Sequence, residues 1–377
     1  MKKILAIFGT RPEAIKLAPV IAKLRGEAVV EVCVTAQHRQ MLDQALETFN
    51  IVPDYDLDIM TDNQGLCDLS AQILSSLGAV LSSSRPDIVL VQGDTVTASM
   101  GALSAFYHRI AVAHLEAGLR TFNLRSPFPE ELNRQIVARI ASIHLAPTQN
   151  ARSNLILEGV PQDRIFVTGN TVVDALRVML PKAREMKWHG ALGAVEPHLS
   201  SLQARKRKWI LVTGHRRENF GEPFREICEA LKLISRKNPD ISIVYPVHLN
   251  PNVEGLVREH LGNEKDIFLV PPVDYLSFLK LMDAAHLILT DSGGVQEEAP
   301  TLAKPLLVMR TDTERPEGVD AGVARLVGTK RDDIVGGVME LLQDETSYLR
   351  MQSSENPYGD GQASQRIVDH LIREPML

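Results

Sequence analysis

Acidic side chains follow two neighbouring apolar runs in the first half of the chain. The run Ile88–Val91 is followed, three residues on, by Asp94, and Ala111–Leu115 leads directly into Glu116. Adjacent parallel strands lie about 4.8 Å apart, so two carboxylates at neighbouring strand ends can share one site. Like charges held close raise one of the two pKa values, which keeps a proton donor and a proton acceptor together near neutral pH. We therefore expect acid–base chemistry at this sheet edge.

A third carboxylate, Glu130, follows a proline-rich stretch at the expected start of a helix, and Arg134 lies one turn further on. Pairs at this spacing are often surface ion pairs worth about 0.3–0.5 kcal/mol. The proline-rich entry would fix the orientation of Glu130, which favours a role in the site.

Residues suited to phosphate binding follow other runs. Arg11 and Lys16 stand at the first expected helix start, where the dipole disfavours cations by about 0.3–1 kcal/mol and free N–H groups favour an anion. In the second half, the turn Ser292-Gly293-Gly294 precedes Glu298. Alone, these are an ordinary helix cap and an ordinary dipole partner. Together, a phosphate cradle and an acceptor for both ribose hydroxyls fit a nucleotide.

A histidine and an arginine follow further strand-like runs of the second half. His215 could contact a diphosphate, although a lone histidine is more often structural. Arg315 could lie near a sugar or phosphate, or belong to a surface ion-pair loop.

The elements that must position these residues are twelve short apolar runs, each followed by turn residues and a helical stretch. Such runs are typical of parallel strands covered by helices, and their alternation with helices predicts doubly wound α/β sheets. Two groups of six runs predict two Rossmann-like domains, residues 1–170 and 171–360, with ligands at the carboxyl ends of the strands in a cleft. The runs are Ile4–Phe8, Val29–Val34, Ile88–Val91, Ala111–Leu115, Ile143–Ala146, Ile165–Val167, Trp209–Val212, Ile241–Val244, Ile267–Val270, Leu287–Leu289, Leu306–Val308 and Ala324–Val327.

Composition narrows the class of protein. The chain has 377 residues, 44% of them apolar, and a net charge of -6, so neither wholesale disorder nor a basic surface for nucleic acid is expected. No run approaches the roughly 18 apolar residues of a membrane span, and the apolar start is too short for a signal peptide. Three widely spaced cysteines favour a reducing cytoplasm. We find no ligand cluster for a metal and no nicotinamide-binding glycine motif, so no cofactor is expected.

Taken together, the motifs resemble the bacterial non-hydrolysing UDP-N-acetylglucosamine 2-epimerases. The resemblance runs nearly from end to end, with the segments in the same order. They are FGTRPEAIK at 8–16, GDT at 93–95, EAGLR at 116–120, PEELNR at 129–134, GHRRE at 214–218, HLNP at 248–251, DSGGVQEEA at 291–299, ERPE at 314–317 and NPYGDG at 356–361.

This resemblance implies a glycosyltransferase-B-like fold in which the C-terminal helix, within 361–377, packs back on the first domain. It also implies a homodimer that interconverts UDP-N-acetylglucosamine and UDP-N-acetylmannosamine for cell-envelope polysaccharides. The implied UDP contacts are Arg11, His215, Phe278, Ser292, Gly293, Gly294 and Glu298, with Arg315 in the pocket and Val273 where the family often has Gln. The implied sugar-side positions are Lys16, Asp94, Glu116, Glu130 and Arg134, and the implied catalytic residues are Asp94, Glu116, Glu130 and His215. A regulatory substrate site is implied at Gln37, His38, Arg39 and His248.

The chemistry that these residues could perform begins with loss of UDP. The hydrogen on sugar carbon 2 becomes acidic once the bond from carbon 1 to UDP breaks, and a carboxylate can then remove it. Readdition of a proton to the opposite face and of UDP to carbon 1 inverts carbon 2. A nucleotide-sugar glycosyltransferase, a hydrolysing epimerase and a non-enzymatic nucleotide-sugar sensor remain as alternatives.

Overall fold

The computed structural model describes residues 1–36, 39–59, 64–188, 192–193, 196–204, 207–216, 219–248, 250–353 and 355–373. The chain divides into two compact units. The first consists of Met1–Arg177 with Tyr358–Leu377, and the second of Val178–Pro357.

The first unit is built on seven parallel strands covered by helices. Its strands are β1 (Lys3–Phe8), β2 (Val29–Val34), β3 (Tyr55–Asp56), β4 (Ile88–Gln92), β5 (Ala111–Leu115), β6 (Ile143–Ala146) and β7 (Ile165–Val167). Its helices are α1 (Arg11–Leu24), α2 (Arg39–Thr48), α3 (Leu66–Ser84), α4 (Val96–Tyr107), α5 (Glu130–Ile140), α6 (Gln149–Leu157), α7 (Thr171–Glu185, which ends in the second unit) and α16 (Ala363–Arg373). The strand order is β3-β2-β1-β4-β5-β6-β7.

The second unit has six parallel strands. They are β8 (Lys208–Thr213), β9 (Ile241–Pro246), β10 (Ile267–Val270), β11 (Leu287–Thr290), β12 (Leu306–Val308) and β13 (Ala324–Leu326), in the order β10-β9-β8-β11-β12-β13. Its helices are α8 (Glu196–Ala204), α9 (Glu222–Lys237), α10 (Pro251–Leu261), α11 (Tyr275–Ala284), α12 (Gly293–Glu298), α13 (Pro316–Asp320), α14 (Arg331–Gln343) and α15 (Glu345–Ser353).

The apolar runs form central strands because helices cover both faces of each sheet. Every residue of β4 is buried, as is every residue of β11. Strands shielded on both sides need no alternation of polar and apolar residues, which explains why the runs are continuous. All twelve predicted runs are strands, and the two sheets confirm the predicted α/β fold. The additional strand, β3, has two residues and pairs with β2 at the sheet edge, so it leaves no apolar run to detect.

Each sheet has one point at which the strand order reverses. In the first unit, β1 lies between β2 and β4, and in the second unit β8 lies between β9 and β11. Chain connections leave such a reversal in opposite directions, which opens a crevice at the carboxyl ends of the two strands, where open α/β sheets bind ligands. The residues after β1 and β4, and after β8 and β11, are therefore the places to search for function.

The returning end of the chain completes the first unit. Residues 171–177 and 358–360 belong to this unit rather than to the second, where the sequence-based boundaries put them. The amide of Asn170 donates to the carbonyl oxygen of Tyr358 at 2.8 Å, and the buried carboxylate of Asp174 accepts from the amides of Ala363 and Ser364. The expected return of the C-terminal helix is thus held by a carboxylate at the start of α16, which lies against α1.

One helix of the described residues, α3, is long and apolar enough to cross a membrane by length and composition alone. Core helices pass the same test. In this structure Leu69, Ile73, Leu77 and Leu81 on one side of α3 are part of the buried core of the first unit.

We predict that Asp174→Asn lowers the free energy of unfolding of the first unit by about 1–3 kcal/mol, because buried donors at the start of α16 lose a charged acceptor. Thermal unfolding and hydrogen exchange of α16 would measure the loss. The control is Asp369→Asn on the same helix. The side chain of Asp369 is 40% exposed and lies 3.8 Å from the exposed Arg373, and such solvated pairs contribute about 0–1 kcal/mol. Equal effects of the two substitutions would contradict the role given to Asp174.

Candidate active site

A buried ion pair joins the first helix to the end of β5. The ammonium of Lys16 lies 2.5 Å from Oε1 of Glu116, and both side chains are more than nine-tenths buried. The side-chain amides of Gln92 and Asn170 also donate to this carboxylate. Removing two charges from water costs several kcal/mol unless they are paired and well hydrogen-bonded, so these donors are needed to keep Glu116 where it is.

The backbone at Glu116 is strained. Its φ is +66°, in the left-handed region, where a residue with a Cβ atom costs about 1–2 kcal/mol. Such conformations persist where the surroundings enforce them, and they cluster at functional sites. Here the neighbouring strand end enforces it: Gly93 also has a positive φ, +68°, and its amide donates to the carbonyl oxygen of Leu115.

Asp94 has its own cation. Nη1 of Arg134 donates to Oδ2 of Asp94 at 2.7 Å, and Nη2 of Arg134 donates to Glu131 at 2.5 Å. Arg134 and Glu131 are buried, whereas Asp94 keeps 31% of its side-chain surface exposed. Burial favours the neutral acid, but bonds from Arg134 and from the amide of Thr121 outweigh it and lower the pKa of Glu131. The buried guanidinium of Arg134 thus places a fixed positive charge beside Asp94, a carboxylate that a ligand can reach.

The backbone around Asp94 is also fixed. Asn133 donates to the carbonyl oxygen of Asp94 at 2.9 Å, and Nε2 of His114 lies 2.7 Å from the carbonyl oxygen of Gly93. Burial lowers the pKa of His114 to about 3, so the ring is neutral and carries its proton on Nε2, since a carbonyl can only accept. The strand end therefore has little freedom to move.

Glu13 organises the turn that leads into α1. Its Oε2 accepts from the amides of Gly9 and Thr10 at 3.0 and 2.8 Å, and Pro12 has no amide hydrogen. The amides that precede α1 are therefore taken by an internal carboxylate. Arg11, the first residue of α1, remains as the cation of this turn.

The same carboxylate bridges two strand ends. Oε1 of Glu13 accepts from the hydroxyl of Thr95 at 2.7 Å, and Thr95 caps α4 by accepting from the amide of Ala98. Complete burial outweighs these hydrogen bonds and raises the pKa of Glu13 to about 6. Glu13 is thus a carboxyl with a raised pKa that the sequence analysis did not consider.

In the second unit, Asp291 organises the turn that carries His215. The buried carboxylate accepts from the backbone amides of His215 and Arg216 and from the side chain of Asn219. Nδ1 of His215 lies 3.4 Å from Oδ1 of Asp291. Four polar atoms from the end of β8 thus converge on the residue that follows β11, so the two strand ends form one unit.

His215 also contacts the histidine that the resemblance places in a regulatory site. The rings of His215 and His248 are stacked, with centroids 5.5 Å apart and planes at 17°. Sequence analysis assigned them to different sites, but the structure brings them together. Gln37 and His38 lie outside the described residues. Arg39 begins α2 in the first unit and makes ion pairs with Asp43, Asp56 and Asp58.

Arg315 packs against the glycine turn after β11. A Cβ atom on Gly293 would lie 2.6 Å from Nη1 of Arg315, so a larger residue there would displace the guanidinium. The guanidinium donates to Glu297 at 2.6 Å and to Glu314 at 2.5 Å. Burial would raise the pKa of Glu314, but the positive charges of Arg315, Arg216 and Arg310 outweigh it and hold the pKa well below its ordinary value. Arg315 is therefore part of a buried charge network, not a surface loop.

The remaining residues of the second unit that the resemblance implies contact UDP lie on or beside α12, on α11 and on the segment before α11. Ser292 is the N-cap residue of the short helix α12 but makes no capping bond with its side chain, and Glu298 is the buried last residue of that helix. A Cβ atom on Gly294 would meet only Ser292 Oγ, at 4.0 Å. Phe278 lies half-buried on α11, and half-buried Val273 precedes it.

Glu130, the third predicted acid–base carboxylate, is the first residue of α5 in the first unit.

No group of three or more His, Cys, Asp or Glu side chains that could hold a metal ion occurs in the part of the chain that the structure describes. What the first unit does offer is two carboxylates at adjacent strand ends, each with a cation as hydrogen-bond donor. Carboxylates so placed can exchange protons with a ligand, while cations fixed beside them stabilise negative charge. The second unit offers a glycine turn, a histidine and buried arginines.

Comparison with known proteins decides the family. Residues 22–372 match the family model described as UDP-N-acetylglucosamine 2-epimerase. The chain belongs to the UDP-N-acetylglucosamine 2-epimerase family. It is 52% identical to the family member from Campylobacter jejuni, covering 99% of this chain and 98% of the relative, and 53% identical to that from Escherichia coli K12, covering 98% of each. The UDP-GlcNAc 2-epimerase of Neisseria meningitidis, whose crystal structure holds UDP-GlcNAc, is 46% identical over 99% of this chain and 100% of that one, with a TM-score of 0.91. The resemblance deduced from the motifs is confirmed.

Several residues that shape the site of this family member were missing from the predicted set. Glu13, Glu131 and Asp291 each stand inside a recognised motif. Most partners of Glu13 and Asp291 are distant in sequence or belong to the backbone, whereas Glu131 is bonded to Arg134, three residues further on. A buried carboxylate beside a predicted site residue was the available signal, as Glu13 lies two residues from Arg11 and Asp291 precedes Ser292.

We predict that Glu13→Gln changes the pH dependence of stability. Because the pKa of Glu13 is raised to about 6 in the folded state, its contribution is fully present below the unfolded value of 4.5 and is lost as pH rises through 6. A shift of this size corresponds to about 2 kcal/mol, which the buried charge costs the wild type at pH 8. Gln does not titrate, so the Tm of the variant relative to the wild type should be higher at pH 8 than at pH 5. A Tm difference that is constant with pH would refute the buried, titrating carboxyl.

Proposed function

We propose that the protein interconverts UDP-N-acetylglucosamine and UDP-N-acetylmannosamine by eliminating and readding UDP, without hydrolysis. The family supports epimerisation at carbon 2 of the sugar. The observation that carries the proposed mechanism is the pair of carboxylates at adjacent strand ends, Glu116 with Lys16 and Asp94 with Arg134. Inversion needs one group that takes a proton from one face and another that returns a proton to the other face.

The first step breaks the bond between carbon 1 and the diphosphate oxygen, and its electron pair leaves with UDP. Positive charge at carbon 1 then acidifies the hydrogen on carbon 2, and a carboxylate removes it as a proton. The product is 2-acetamidoglucal with a double bond between carbons 1 and 2. Proton transfer to the opposite face of carbon 2 and attack of the diphosphate oxygen on carbon 1 restore a nucleotide-sugar with inverted configuration.

We propose that the charged and polar residues of the second unit, with Arg11, bind UDP and that the charged residues of the first unit act on the sugar. Arg11, His215, Ser292 and the amides of Gly293 and Gly294 would bind and neutralise the diphosphate, since donors aimed at a leaving group lower its barrier to departure. Glu298 would accept from the ribose hydroxyls, and Phe278 and Val273 would lie at the uracil. Arg315, held by Glu297 and Glu314, would support the glycine turn from within.

On the sugar side, Asp94, Glu116 and Glu130 would be the acid–base groups. The ammonium of Lys16 and the guanidinium of Arg134 already donate to Glu116 and Asp94, so these carboxylates cannot swing away from a bound sugar without breaking a bond. This restraint suits proton transfer, which requires the reacting atoms within hydrogen-bond reach.

A regulatory substrate site at Gln37, His38, Arg39 and His248 is a further part of the proposal. Stacking of His248 on His215 supports it, because any ligand that moves the ring of His248 also disturbs the proposed diphosphate contact. We further propose a cytoplasmic enzyme that supplies polysaccharide synthesis, as the resemblance implies.

Incubation with UDP-N-acetylglucosamine in heavy water tests the reaction. We expect UDP-N-acetylmannosamine with deuterium at carbon 2, together with deuterium in the recovered substrate, since both directions pass through the glucal. Mass spectrometry and proton NMR would measure the exchange. Free N-acetylmannosamine would indicate a hydrolysing enzyme, transfer to an added acceptor a glycosyltransferase, and binding without exchange a sensor.

The same assay on Asp94→Asn should show turnover reduced at least about 100-fold with little change in UDP affinity, because an amide cannot take the proton. Asp87→Asn is the matched control, since Asp87 lies at the opposite end of β4, where its carboxylate accepts from the amide of Lys3. Wild-type exchange in Asp94→Asn would remove Asp94 from the mechanism.

We also propose a homodimer. Phe106 and Tyr107, at the end of α4, are 59% and 67% exposed, and with Ile110 and Ile140 they line a groove on the first unit. Exposed aromatic side chains beside a groove are typical of protein interfaces. Sedimentation equilibrium should give twice the chain mass of 41.7 kDa, and Phe106→Ser should shift the equilibrium toward the monomer. A monomer at all concentrations would exclude the dimer.

A further inference from the structure

The structure assigns a positioning role in the proposed reaction to Glu13. Its carboxylate is hydrogen-bonded both to the turn that carries Arg11 and to the turn that carries Asp94, and we call this connection the tie. The tie sets the distance between Arg11, which would contact the leaving diphosphate, and Asp94, which would transfer the proton. The inference rests on the proposed epimerisation. Glu13 itself does not reach the sugar, because it is 1% exposed and both carboxylate oxygens accept hydrogen bonds from the protein.

The geometry of the tie is specific. β1 and β4 are hydrogen-bonded neighbours, so the two turns leave adjacent strands. One oxygen of Glu13 holds the first turn through the amides of Gly9 and Thr10, and the other holds the second turn through the hydroxyl of Thr95. A single side chain therefore bonds to residues adjacent in sequence to both Arg11 and Asp94.

The tie complements the restraints already present on Asp94. Asn133 fixes its carbonyl oxygen, and Arg134 fixes its carboxylate, both from α5. Neither of these bonds relates Asp94 to the first turn. Glu13 supplies that relation, and the hydroxyl of Thr95 cannot rotate away without also giving up the bond it accepts from the amide of Ala98.

A loosened tie should affect turnover more than binding. A misplacement of about 1 Å between reacting groups can cost about 100-fold in rate. The UDP moiety, by contrast, is assigned mainly to residues of the second unit, which Glu13 does not contact among the bonds described. We therefore expect a fall in kcat with little change in KM or in UDP affinity.

The experiment compares Glu13→Ala with Glu13→Gln in the heavy-water assay. We expect Glu13→Ala to lower kcat by about 10–100-fold, with KM and UDP affinity within about 3-fold of the wild type. Gln retains an acceptor for the two amides and a donor for Thr95, so Glu13→Gln should stay within about 3-fold in kcat. A kcat of Glu13→Ala within 3-fold of the wild type, an equal loss in Glu13→Gln, or a rise in KM alone would overturn the positioning role.

A second set of variants tests the tie from its other end, in case Glu13→Ala does not fold. Thr95→Val should lower kcat as Glu13→Ala does, and Thr95→Ser should restore it. Thr148→Val is the matched control, because Thr148 caps α6 through the amide of Ala151 and lies outside this tie. Where both single variants fold, the double variant Glu13→Ala/Thr95→Val should lose no more than either single one, whereas additive losses would contradict the tie. Absence of deuterium exchange in the wild type would instead refute the proposed reaction itself.

Discussion

Pairing of buried charges is the constraint on which the rest of this structure depends. Lys16 and Glu116 are withdrawn from water together, and so are Arg134 and Glu131. A lone charge in either place would cost several kcal/mol, so each side chain is usable only while its partner is present. The strands bring the partners together: the first pair joins residues 100 positions apart in the chain. The charged residues of the site can therefore be buried only in the folded chain, where the strands bring their partners together.

The second unit solves the same problem with different residues. Arg315 and Arg310 are buried because Glu314 and Glu297 neutralise them, and Asp291 is buried because it accepts from three donors. In both units the charges lie on segments that follow the strands at or beside the reversal of strand order: β1, β4 and β5 in the first unit, and β11 and β12 in the second. Buried networks of this kind are rigid, since moving one member leaves another unsatisfied. They can hold the exposed groups, Asp94 and His215, in one orientation.

Much of this arrangement was accessible from the sequence. Apolar runs such as Ile88–Val91 and Leu287–Leu289 predict the strands because both faces of each sheet are covered, and the polar residues that end them predict the site. The family followed from motif order. A local sequence pattern cannot show which residues that lie far apart in the chain come into contact. Glu13 and Thr95 are 82 positions apart and His215 and Asp291 are 76 apart, so both contacts depend on strand order and register. The sequence also does not show that Asp94 and Glu116 each have a cation as hydrogen-bond donor.

The position of α16 has a consequence for how the protein is made. Asp174 accepts hydrogen bonds from Ser364, 190 residues later, so the first unit lacks these buried hydrogen bonds until residue 364 has been synthesised. Residues 178–357 are an insertion within it and carry all six strands of their own sheet. Domains usually fold in the order in which they leave the ribosome. In this chain the inserted unit can reach its native state on the ribosome first, while the unit that begins the chain must wait for its last helix to emerge.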